Sequence, residues 1–85
     1  MAQPYHNGQQ TIRGIILPTE WDDNDNVRAV TLSGTNEEDY VVENWEHFVN
    51  LRQVLIDATG LVHKAPDTQW RIRINHYDVI DIFRK

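Results

Sequence analysis

In "NWEHFVNLRQVLIDATGLV", residues 44–62, the spacing of apolar side chains changes partway along. Trp45, Phe48, Leu51 and Leu55 recur at intervals of three and four, with Val49 and Arg52 as the alternative members of the stripe. That is the period of one helix face. Asn44 is a suitable N-cap, and Glu46 lies in the first turn, where a negative charge meets the positive end of the helix dipole. The spacing predicts an α-helix over residues 45–54. No clear break follows. Ile56, Ala58, Gly60 and Val62 then alternate at period two, which is the pattern of a strand with one buried face.

Upstream, the helix is preceded by three strand-like segments. "TIRGIIL" (residues 11–17) is β-branched and apolar, with Gly14 at its centre as a candidate bend or bulge. Pro18 interrupts ladder hydrogen bonding, so the first strand is expected to bend there. Trp21 is placed to rejoin the sheet. "NVRAVTL" (26–32) alternates as a half-buried second strand, and "DYVVE" (39–43) is a short third. Downstream, "WRIRINHYDVIDIF" (70–83) is the last strand. Its alternation slips after His76, which predicts a bulge near Asn75 to Asp78 or a change of strand partner. Residues 1–9 are polar, with Pro4 and Asn7-Gly8, and read as a loose terminal segment. Residues 10–85 then form one domain in the order β-β-β-α-β-β, mainly β with one α-helix.

This order, with a glycine inside a long first strand, the "IDATGLV" fourth strand and a hairpin into a fifth, resembles the OB-fold. From about residue 10 to 83 the chain is similar to small bacterial OB-fold proteins. The resemblance implies a five-stranded barrel. It implies a ligand face on strands two and three, flanked by the first and fourth hairpin loops. It also implies that those hairpins rise at one end, where Trp21 and Trp70 either each pack over their own hairpin to seal the barrel or together form an aromatic rim for a partner.

The totals bound the function classes. A chain of 85 residues makes one small domain. It has no cysteine, so disulfides, thiolate zinc sites and thiol catalysis are excluded. No apolar run reaches membrane-span length and no leader pattern opens the chain, so a soluble cytoplasmic protein is expected, with no membrane partner. The net charge of −5 disfavours phosphate backbones, whose binding needs cations that release counterions.

"EWDDNDNV" (20–27) fails as a calcium loop: Val27 stands where glycine is needed and Ser33 where a bidentate glutamate is needed. It reads instead as a hairpin turn, for which Asp and Asn are favoured. Glu37, Glu38 and Asp39 lie in the next turn, expected at the opposite end of the sheet. His47 is spaced to pair with Glu43. Strand parity sets His63 beside Arg71, and sets His76 opposite Ala58 or, in a slipped register, beside Asp57 as an acid–base pair on paper. Ser33, the only serine, has no base near it in sequence, and the four glycines are too far apart for a phosphate loop.

These readings predict a non-catalytic binding or adaptor module with no metal and no cofactor. The expected partner is a protein, including another copy of the chain; the alternative is weak binding of single-stranded nucleic acid by the OB-like face. Trp21, Arg28, Tyr40, Trp70, Arg71 and Arg73 are the expected ligand-contacting residues.

Overall fold

The computed structural model of the protein describes residues 8–51 and 53–80. Its elements are β1 (Gly8–Trp21), β2 (Val27–Gly34), β3 (Asp39–Val42), a 3₁₀ helix (Trp45–Leu51), β4 (Leu55–Lys64) and β5 (Trp70–Val79). The strands close into a barrel in the order β1-β2-β3-β5-β4. β4 returns to pair with β1, from Gly8↔Val62 to Ile15↔Leu55. The β3–β5 pairing is parallel and the other four are antiparallel. The fold class is therefore mainly β, in the expected element order.

Alternation builds the core. Ile12 and Ile16 of β1, Val30 and Leu32 of β2, Tyr40 and Val42 of β3, Ile56, Ala58 and Val62 of β4, and Ile72 and Ile74 of β5 all point inward and are buried. Burying each large aliphatic chain contributes about 1.5–3 kcal/mol. Phe48 of the 3₁₀ helix is buried with them, and Trp45, Val49 and Leu51 pack half-buried against the same cluster. Two inward positions carry glycine because the barrel wall is tightly coiled there. A Cβ on Gly60 would strike the Arg73 carbonyl, and one on Gly14 the Ser33 carbonyl.

Several expectations change. The helix is 3₁₀ over residues 45–51, not α over 45–54. Trp45, Phe48 and Leu51 are spaced by three, which is the 3₁₀ period as well. Leu55, which extended the stripe to an α-helical reading, belongs to β4. Gln53 takes a left-handed conformation (φ 63°), which stops the helix, and its N–H bonds to Ile16 carbonyl at 2.6 Å. The Asn44 side chain is not a cap. Its Nδ2 donates to the Ile74 carbonyl at 2.7 Å and its Oδ1 accepts from the Ile74 N–H at 3.1 Å. One side-chain amide thus copies a peptide group and extends the β3–β5 ladder past Val42.

At the start of the chain, Gly8 and Gln9 are part of β1, paired with Val62 and Leu61, rather than part of a loose segment. The remainder of that segment, and the end of the last strand beyond residue 80, lie outside the described residues. The predicted bulge is present: Thr59 faces His76 while Gly60 faces Ile74, leaving Asn75 extra. β1 continues through Pro18 but shifts register just after it. Neither arrangement considered for His76 occurs: it lies opposite Thr59, and its Nε2 is 3.4 Å from Asp78. Asp57 is held instead by Arg13 across the β1–β4 pairing, through two bonds of 2.8 and 3.0 Å. Glu43 pairs with His63 at 2.8 Å rather than with His47, whose ring stands edge-on to Phe48. Among the described residues, no helix is long and apolar enough to cross a membrane.

Candidate functional site

Outward-facing positions of β1, β2 and β3 form two rungs across the barrel wall. One runs Leu17–Thr31–Val41 and the other Ile15–Ser33–Asp39. Three strands at the usual spacing make a floor about 10 Å wide. Two hairpin loops rise beside it, residues 35–38 and 65–69. Together they enclose a groove of about 530 Å³, lined by Leu17, Val41 and Trp70, by the hydroxyls of Thr19, Thr31, Ser33 and Thr68, by Gln69, and by the acidic side chains of Glu37, Glu38 and Asp39.

The loops are built to one plan. In each, the first residue's N–H bonds to the carbonyl four residues on, and the fourth residue's N–H bonds back to the first carbonyl. The pairs are Asp22/Asn26 with Asp25/Asp22, Gly34/Glu38 with Glu37/Gly34, and Ala65/Gln69 with Thr68/Ala65. The fourth residue is left-handed each time: Asp25 (φ 66°), Glu37 (φ 71°) and Thr68 (φ 67°). This is the hairpin in which a turn is followed by a left-handed residue, where glycine is the unstrained choice. Asn36 and Asp67 stabilise their loops by accepting the N–H of Glu38 and of Gln69, each at 3.1 Å. In the first loop Asp22 Oδ1 accepts the N–H groups of Asn24 and Asn26, at 2.8 and 2.9 Å. Those bonds, Asn26 first, hold its carboxyl below the usual aspartate range. The carboxylate of "DDNDN" thus serves its own turn.

Charge is distributed unevenly. Arg13 is tied to Asp57, whose carboxyl is held below its ordinary range chiefly by the Arg13 hydrogen bond. Arg71 lies 3.4 Å from Asp67, and Lys64 Nζ is 4.9 Å from the centre of the Trp70 ring. Glu43, Asp57, Asp67 and Asp78 each have a basic partner. Among the described residues, no ion pair includes Glu37, Glu38 or Asp39.

The six expected contact residues do not converge. Trp70 lines the groove, half-buried, its ring 6.3 Å from Tyr40. Tyr40 itself is buried in the core, its hydroxyl accepting from Asn36 at 3.0 Å. Trp21 is 52% exposed at the end of β1, and no ring contact joins it to Trp70 among the described residues. Arg28 is exposed on β2, skipped where Trp21 pairs with Val27. Arg71 and Arg73 face outward on β5, opposite His63 and Leu61 of β4. The groove keeps β2, β3 and the fourth hairpin loop of the expected ligand face, but its other wall is the second hairpin loop and not the first. Leu17, Thr31, Ser33, Val41 and Thr68 line the groove without any sequence signal of contact. The period-two pattern marks most of them only as outward positions.

Fold and site together define a closed five-stranded β-barrel with an acidic-rimmed groove on one outer face. The chain matches no protein-family model, no curated protein and no solved structure.

Proposed function

We propose that the protein is an OB-type barrel acting as a non-catalytic protein-binding or adaptor module, and that the groove over β1–β3 is its docking face. The strand order and the parallel β3–β5 pairing are those expected of an OB barrel. The groove is the observation that carries the functional reading. It is open and part apolar, and it shares β2, β3 and the fourth hairpin loop with the face on which this barrel type presents ligands. The one acid–base pair the sequence suggests is not formed: Asp57 is held by Arg13, and His76 lies beside Asp78. Single-stranded nucleic acid ranks second, because a phosphate chain in the groove meets the carboxylates of Glu37, Glu38 and Asp39.

Two leucines on different faces provide the test. Leu17 is 37% exposed in the groove and Leu61 is 51% exposed on β4. Capture from the native cell extract is expected to lose its specific protein with Leu17→Lys and keep it with Leu61→Lys. Loss with Leu61→Lys alone, or salt-sensitive quenching of tryptophan fluorescence by single-stranded DNA at the groove, would overturn the reading.

A further inference from the structure

We infer that the groove takes a protein segment in which an apolar side chain is flanked by lysine or arginine. The inference rests on the docking reading above and names the chemistry of the partner. The groove's shape and part-apolar floor make the docking surface; the charge decides what fits it. Glu37, Glu38 and Asp39 stand on one wall with no cation paired to them among the described residues. A lysine or arginine lays its aliphatic stem on apolar surface while its head stays at a polar edge. Leu17 and Val41 supply that surface, and the three carboxylates supply the edge. The opposite wall ends at Trp70, whose ring already lies 4.9 Å from the Lys64 ammonium, so a cation is compatible with that wall too.

The barrel's closure restricts how a segment docks. Thr31–Ser33 of β2 is paired on both sides, with β1 and with β3, and Tyr40 and Val41 of β3 with β2 and β5. The centre of the groove floor therefore offers no free strand edge. An incoming segment cannot add as another strand there, the usual route for extended peptides. Recognition passes through side chains, to the floor, to the hydroxyls of Thr31 and Ser33, and to the acidic rim.

The test uses the full chain and three capped pentapeptides that alternate leucine and valine with lysine, glutamine or glutamate, followed by NMR. The lysine peptide is expected to shift the amides of Thr31, Val41 and Gln69 and the Trp70 indole N–H. Its affinity is expected to fall about tenfold between low and physiological salt. The triple change Glu37→Gln, Glu38→Gln, Asp39→Asn should weaken it about tenfold, while Glu46→Gln on the 3₁₀ helix changes it less than twofold. Equal binding by the glutamine peptide would leave the docking face standing and overturn the basic partner. Failure of all three peptides to shift the groove at millimolar concentration would overturn the inference, and the capture experiment then judges the docking face separately. Shifts from a thymidine oligonucleotide at the same residues, without the lysine peptide, would overturn both.

Discussion

At the scale of single residues, backbone geometry is in tension with side-chain identity at the hairpins. Thr68 is β-branched and left-handed, a conformation that costs such residues on the order of 1–2 kcal/mol. Thr68→Gly is expected to stabilise the fold by up to about 1 kcal/mol, read as a raised urea midpoint. The reverse holds on the barrel wall. Gly60→Ala places a methyl against the Arg73 carbonyl and is expected to cost about 1–3 kcal/mol. The Arg13–Asp57 pair sets a pH dependence. Asp57 titrates lower in the folded than in the unfolded chain. Its contribution is therefore complete above the unfolded value, about 4, and is lost as pH falls through the lower folded value. Urea titrations should find Asp57→Asn less stable than wild type at pH 7, with the gap closing at acidic pH. A constant gap from pH 7 to pH 2 would mean the pair makes no such contribution.

At the scale of elements, the junction between β3 and β5 depends on one amide. The ladder there spans only Tyr40, Val41 and Val42 opposite Trp70, Arg71 and Ile72. Asn44 adds one further step through Ile74. Asn44→Ala leaves both backbone groups of Ile74 without those bonds and is expected to cost about 1–3 kcal/mol, with faster hydrogen exchange at the Ile74 amide. The strands themselves were legible because alternation survives in short windows: Ile56, Ala58, Gly60 and Val62, and Ile72 and Ile74, each mark one face. The type of helix was not legible. A stripe at Trp45, Phe48 and Leu51 suits both 3₁₀ and α geometry, and the left-handed turn at Gln53, near which the helix stops, has no signature at that residue. The role of Asn44 is hidden in the sequence for a related reason. An asparagine before a helix is a good cap on local grounds, and only the fold brings Ile74 to it.

At the scale of the whole molecule, closure makes the core and the groove one object. The core is shared by all five strands and the 3₁₀ helix. Leu32→Ala, at a fully buried position, should therefore lower stability by about 2–5 kcal/mol in a single cooperative transition. The same closure brings Leu17, Val41 and Trp70, far apart in the chain, to one outer face. That placement was not readable in advance. Threonine, serine and valine at outward positions look like ordinary strand surface, whereas tryptophans and arginines draw attention wherever they fall. Four of the expected contact residues, Trp21, Arg28, Arg71 and Arg73, do not line the groove, and Tyr40 packs inside. The acidic turn "DDNDN" lies at the end of β2 away from the Glu37–Asp39 wall. Its carboxylate Asp22 is engaged by its own loop.

The central claim is that the β1–β3 face, and not the rest of the barrel surface, meets the partner. A photo-crosslinking residue placed at Thr31, on the groove floor, and separately at Thr59, outward on β4, tests it in native extract. The account predicts a discrete protein adduct from Thr31 and none from Thr59. An adduct from Thr59 alone, or the same adducts from both, would contradict it.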